Sequence, residues 1–87
     1  MMRTARINEP IAVTAKDHGY FPRAFVWRGR RHTVQAVEQC WTVARKHWLG
    51  RIEQHCFRVR TAEATFEISQ DLGRDTWQLD RLVTAKR

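Results

Sequence analysis

The sequence predicts a mainly β fold: a single twisted antiparallel sheet or small open barrel of about five or six strands. Three observations support this. Short segments alternate apolar with polar residues, turn-forming residues separate them, and a length of 87 residues allows one domain. We assign residues 1–8 to a flexible basic arm and residues 9–84 to a single β-rich domain.

The first strand is predicted at residues 9–16. Ile11 and Val13 fall on one face of this segment, and Pro10 suits the beginning of an edge strand. Residues 17–20 have a composition typical of a turn, and Pro22 interrupts the chain again. The chain therefore reverses direction soon after residue 16.

A β-hairpin is predicted around Gly29. Alternation around Trp27 indicates one arm, and residues 30–34 form the other. Glycine readily adopts the positive φ that a tight turn requires, so we expect Arg28, Gly29 and Arg30 to form the tip.

Residues 33–50 fit two structures. As a helix, the apolar residues are three or four positions apart, with Thr33 as the N-cap and Gly50 just after the end. As a strand, the β-branched residues extend the hairpin to residue 43. The strand interpretation leaves at most one short helix, near residues 44–54. The alternative is an α+β fold with a helix at 34–49 packed on an antiparallel sheet.

Three consecutive antiparallel strands are predicted in the C-terminal half of the chain. Apolar and polar residues alternate over 56–61, 65–69 and 77–83, with turns at 62–64 and 71–75. The core of the domain is predicted to contain Phe25, Trp27, Val34, Val37, Phe57, Val59, Phe66, Ile68, Trp77 and Leu79.

The charge balance is the most pronounced feature of the composition. Sixteen Lys and Arg residues oppose nine Asp and Glu residues, for a net charge of +7. Such a field attracts nucleic acid or acidic partners. The candidate binding residues are Arg28, Arg30, Arg31, Arg45, Lys46, Trp48, Arg58 and Arg60. The arginines would neutralise phosphates, and Trp48 would stack on a base. Alternatively, the arginines pair with Glu38, Glu53, Glu63 and Glu67.

No catalytic, cofactor or metal site is expected, so we do not predict an enzyme. The spacing of the cysteines and histidines matches no zinc template, and the adjacent His55 and Cys56 would point to opposite faces of a strand. Two cysteines are too few for a disulfide framework, and no apolar run is long enough to span a membrane. A cytoplasmic location with free thiols and no membrane partner is therefore the expectation.

Five short motifs follow one another along the chain: F-x-W-x-G-x-x-H-x-V, a tryptophan, F-x-V, F-E-I and W-x-L. The residues that form them are Phe25, Trp27, Gly29, His32, Val34, Trp41, Phe57, Val59, Phe66, Glu67, Ile68, Trp77 and Leu79. Over about residues 20–84 the chain resembles a small uncharacterised bacterial family, commonest in actinobacteria. It is also similar to a segment near the C-terminal end of the Y-family-polymerase-like proteins of bacterial damage-induced mutagenesis.

The resemblance carries one structural and one functional expectation. Glycine or proline often interrupts the region of the relatives that matches residues 38–47, which favours a strand there over a long helix. The resemblance also implies a context in DNA repair or translesion synthesis, without assigning a role to any residue.

Two functions are expected from these observations. The first is a nucleic-acid-binding accessory module for DNA or RNA, linked to repair or translesion synthesis. The alternative is a protein-interaction module whose open sheet edge or basic hairpin docks an acidic segment of a repair polymerase or another protein. A contiguous arginine stripe beside an exposed ring would favour nucleic acid. Scattered, paired arginines with an apolar patch elsewhere would favour a protein.

Overall fold

The computed structural model describes residues 4–47 and 50–85, and shows six antiparallel strands. The strands are β1 (Ala5–Asp17), β2 (Phe21–Trp27), β3 (Arg30–His47), β4 (Gly50–Thr61), β5 (Ala64–Asp71) and β6 (Thr76–Ala85). Each strand pairs with the next along the chain, and β6 pairs with β1 to close a barrel. The predicted mainly β fold is confirmed, and the barrel is closed rather than open.

Strand β1 begins earlier than the sequence suggests. Ala5 and Arg6 pair with Leu82 and Arg81 of β6, so residues 5–8 belong to the barrel and not to a separate arm. The register shifts between Arg6 and Glu9, and Asn8, which lies between them, has a positive φ of 53° that marks a bulge. Residues 5–11 of β1 pair with β6, and residues 12–17 pair with β2.

The turn between β2 and β3 is the predicted hairpin tip. Trp27 pairs with Arg30, and the two residues between them both have positive φ, 51° at Arg28 and 75° at Gly29. Positive φ at both central positions defines the type I′ turn, whose twist matches that of the flanking strands.

The segment with two possible structures is a strand. Strand β3 has 18 residues and pairs with β4 as far as His47 opposite Gly50. The alternative helix at 34–49 is wrong for the described residues, none of which is helical, and the limit of at most one short helix near 44–54 is met because none is present among them.

Two bulges in the first part of β3 account for the beginning of its helix-like spacing. Val34, Val37 and Cys40 lie opposite Thr61, Val59 and Phe57, so steps of three on β3 match steps of two on β4. The register shifts lie between Val34 and Ala36 and between Val37 and Gln39. Each bulge adds one residue to the alternation, and this imitates the period of a helix.

The core of the barrel contains eight of the residues predicted for it and also Ala64, which was not predicted. The buried cluster consists of Phe25, Val34, Phe57, Val59, Ala64, Phe66, Ile68, Trp77 and Leu79. Trp27 and Val37 are half-buried and pack against this cluster. Within the described ranges, no helix has the length and apolar character needed to cross a membrane.

Candidate interaction surface

Arg28 is held by a carboxylate and by a tryptophan ring. Its Nε and Nη2 donate to the two carboxylate oxygens of Glu9, at 2.9 and 2.6 Å, and Trp27 Nε1 donates to Glu9 Oε1 at 2.9 Å. The guanidinium lies 4.6 Å from the centroid of the Trp27 ring. The hydrogen bonds from Arg28 and then from Trp27 lower the pKa of Glu9 to about 2. The Arg28 side chain therefore already has an ion-pair partner, Glu9, in its own chain.

Arg58 and Arg60 share the outer face of β4, as predicted, and both face carboxylates. Arg58 Nε and Nη2 donate to Glu67 Oε2 at 3.2 and 2.8 Å, and Arg81 Nε lies 3.3 Å from Glu67 Oε1. Glu67 is only 13% exposed, which shields this pairing from water. Arg60 Nη1 lies 3.6 Å from a carboxylate oxygen of Glu38.

The remaining predicted cations differ in their surroundings. Arg30 Nη2 lies 3.6 Å from Glu63 Oε1, whereas Arg31 is exposed and has no carboxylate partner in the described part of the chain. Arg45 and Lys46 continue β3, and their side chains lie outside the described residues, as does the whole of Trp48.

The predicted pairing of arginines with glutamates is therefore present at Glu38, Glu63 and Glu67. Glu38 and Glu67 lie in different strands from their arginine partners, and Glu63 lies in the turn between β4 and β5, so the pairing depends on the register of the sheet. Exposed ion pairs are individually weak, but each one keeps a guanidinium close to a carboxylate and lowers its availability for phosphate. The described arginines do not make a surface free of acidic groups.

A different feature is the long free edge of β3. Strand β2 pairs with β3 only between residues 24–27 and 30–33. Beyond Thr33, β3 pairs with β4 on one side, and no described strand pairs with its other side. A groove of about 480 Å³ lies between the beginning of β2, including Phe21 and Arg23, and residues 34–40 of β3. The ring of paired strands is complete, but beyond the paired residues β2 and β3 separate and leave this groove between them.

The middle of this edge has the composition of an exposed pairing strand. Residues 39–44 contain no charged residue, proline or glycine. Trp41 is 38% exposed and Val43 is half-buried, and both lie on the outer face of the sheet. The sequence did not indicate this edge, because the helix-like spacing concealed the strand. The uncharged run at 39–44 was the one available signal.

The cysteines differ in reactivity. Cys40 is exposed, whereas Cys56 is buried, and burial, assisted by the charges of Asp80 and Glu67, raises the pKa of its thiol to about 11. Burial also raises the pKa of Asp80, which accepts a hydrogen bond from Gln78 Nε2 at 2.9 Å. The described residues contain no group of three or more His, Cys, Asp or Glu side chains placed to hold a metal ion.

Comparison with known proteins gives a family. The family model of a domain of unknown function, DUF6504, matches residues 2–84, nearly the whole chain. No curated protein and no solved structure matches the chain significantly. The expectation of an uncharacterised family is confirmed: the chain belongs to the DUF6504 family of domains of unknown function.

Proposed function

We propose that this domain is a protein-interaction module that binds an extended segment of a partner by β-strand addition to the free edge of β3. The observation that carries the proposal is the side of β3 beyond Thr33 with which no described strand pairs. Backbone N–H and C=O groups along such an edge form hydrogen bonds with any strand that can approach it.

The part of the edge at residues 39–44 lacks the charges, prolines and bulges that usually protect an edge strand. Proteins limit edge pairing with short strands, charges, prolines or bulges along the edge. Strand β3 is 18 residues long, and residues 39–44 carry no charge or proline. Its two bulges lie before Gln39, and from Gln39 to His47 the register with β4 is regular. A regular strand is therefore available for pairing.

The chemistry of the partner follows from the side chains along the edge. Trp41 and Val43 on the outer face would contact apolar side chains of the added strand. The net charge of +7, together with Arg45 and Lys46 near the end of β3, favours an acidic segment. The resemblance to mutagenesis proteins suggests a repair polymerase as the source of that segment.

Nucleic-acid binding is the second candidate. The net charge supports it, and so does Arg31, which is exposed and has no ion-pair partner among the described residues. Exposed ion pairs are worth only about 0–1 kcal/mol, so phosphates would compete for Arg30 and Arg60, whose carboxylates are 3.6 Å away. We rank it second because the shorter bonds of Arg28 and Arg58 would have to break as well.

The test uses ¹⁵N-labelled protein and an acetylated, amidated peptide of about ten residues that alternates valine with glutamate. We expect the amide resonances of residues 35–44 to shift and their hydrogen exchange to slow. A peptide that alternates valine with lysine should bind more weakly, because its charge opposes that of the domain. Labelled single- and double-stranded DNA and RNA are titrated in parallel.

Two matched variants locate the site. Thr42→Glu introduces a charge on the free part of β3, whereas Thr33→Glu introduces the same charge where β3 is paired with β2. Both threonines are exposed. Thr42→Glu should weaken peptide binding about tenfold and Thr33→Glu much less. Peptide-induced shifts confined to the arginines, or salt-sensitive nucleic-acid binding without peptide binding, would contradict the proposal and favour the second candidate.

A further inference from the structure

A small pocket lies at the end of the barrel that carries the turn between β2 and β3. Its volume is about 360 Å³, within the range of small-molecule sites. Trp27, Phe66 and Leu82 form apolar walls, and Arg30, His32 and Glu63 supply polar groups. The mouth of a β-barrel is a common position for a ligand site.

His32 is the least expected residue in this pocket. It is only 4% exposed, and its Nδ1 has no hydrogen-bond partner in the part of the chain that the structure describes. The ring stacks on Phe25 at 5.2 Å between centroids and meets the edge of Phe66 at 5.5 Å. Burial lowers the pKa of His32, which keeps the imidazole neutral at pH 7. A buried polar atom without a partner is costly, and it commonly indicates a functional role.

Two nitrogen groups converge on one oxygen of Glu63 without reaching hydrogen-bond distance. Glu63 Oε1 lies 3.8 Å from His32 Nδ1 and 3.6 Å from Arg30 Nη2. The Glu63 side chain is 39% exposed, in the turn between β4 and β5, so it can swing towards water. The pocket therefore contains a position for a carboxylate that Glu63 occupies only loosely.

We propose that this pocket binds a carboxylate with an apolar or aromatic body, whose carboxylate replaces that of Glu63 between Arg30 and His32. The body packs against Trp27 and Phe66. Trp27 is a fixed wall, since its indole N–H is bonded to Glu9 at 2.9 Å. The net charge of +7 favours an anion over a cation at this site.

The proposal is independent of strand addition to β3. The pocket uses the β2–β3 turn and the β4–β5 turn, whereas the free edge extends from residue 34 towards the opposite end of the barrel. Either site can therefore be absent without affecting the other.

The test titrates the ¹⁵N-labelled full chain with indole-3-propionate and with its neutral isostere, indole-3-propionamide. We expect saturable shifts of the Trp27, His32 and Phe66 amides with the acid. The amide should bind about tenfold more weakly or worse, because it loses the charge-assisted hydrogen bonds. A second pair of probes, acetyl-Gly-Gly-Phe with a free or an amidated C-terminus, distinguishes a protein C-terminus from a free small acid as the natural source.

Three variants test the mechanism. Arg30→Gln should weaken binding of the acid about tenfold, whereas Arg74→Gln, at an exposed arginine in the turn between β5 and β6, should leave it unchanged. Glu63→Gln should strengthen binding several-fold, because it removes the competing carboxylate charge. The substitution retains the backbone N–H of residue 63, which donates to Thr61 Oγ1.

Each outcome of these titrations either supports the carboxylate site or overturns it. Saturable binding of an acid probe, with the amide weaker and the opposite effects of Arg30→Gln and Glu63→Gln, supports the site. No saturable shift with either acid, equal affinity for acid and amide, or weaker binding by Glu63→Gln would overturn it. Shifts at residues 35–44 are measured in the same spectra, so failure here is distinguishable from failure of strand addition.

Discussion

The hydroxyl of Thr61 stabilises the turn between β4 and β5. Thr61 is completely buried. Its Oγ1 donates to the carbonyl oxygen of Ala64 at 3.0 Å, and it accepts from the N–H groups of Ala64 at 3.2 Å and Glu63 at 3.3 Å. One hydroxyl therefore satisfies three backbone groups where the chain reverses, and this also positions Glu63 at the barrel end.

Thr61→Val replaces the hydroxyl with a methyl group of similar size and leaves these groups without their partner. Each hydrogen bond contributes about 0.5–1.5 kcal/mol, so we expect a loss of about 2–4 kcal/mol. The partly buried Glu63 N–H can recruit water, which limits the upper value. Thr61→Ser keeps the hydroxyl and loses one buried methyl group, at a cost of about 1 kcal/mol.

The assays are equilibrium unfolding in guanidinium chloride, which gives the free-energy difference, and thermal unfolding, both followed by tryptophan fluorescence and far-UV circular dichroism. For a domain of this size each kcal/mol lowers Tm by about 4–8 °C, so Thr61→Val should melt well below Thr61→Ser. If Thr61→Val is as stable as Thr61→Ser, the hydroxyl does not hold the turn and the reasoning is refuted.

Two further predictions concern titratable groups. The pKa of Glu9 falls from 4.5 to about 2 in the folded protein, so its ionised form contributes stability above pH 4.5 that is lost as the pH falls towards 2. Unfolding free energies of wild type and Glu9→Gln should therefore converge across that interval, and a constant difference would contradict the pairing with Arg28. A thiol reagent at pH 8 should modify the exposed Cys40 well before the buried Cys56, as judged by peptide mass spectrometry. Equal rates in the native protein would argue against the burial of Cys56.

Much of the fold was predictable from local patterns. Alternation around Phe57, Phe66 and Leu79 placed the last three strands and their inward faces correctly. Gly29 indicated the hairpin tip, because the type I′ turn needs positive φ there. Both signals depend on neighbouring residues alone, so they are readable in the chain before any strand has a partner.

The errors arose where pairing with a distant strand alters the local pattern. In β3 the two bulges make steps of three opposite Thr61, Val59 and Phe57, which resemble helical spacing. In β1, pairing with β6 orders residues 5–8, whose own composition indicated a loose arm. Neither effect is visible without the partner strand, because a bulge is defined by the register between two strands.

The candidate sites, like the fold, combine features that the sequence shows with features that only tertiary contacts create. The sequence by itself determined the β class, the core and the excess of arginine, since these follow from composition and alternation. The tertiary structure alone decided that Arg28 binds Glu9. Among the described residues, it also decided that β3 has a free edge beyond Thr33 and that the buried His32 has no partner for Nδ1. These features join residues far apart in the chain, and only the closure and register of the barrel bring them together.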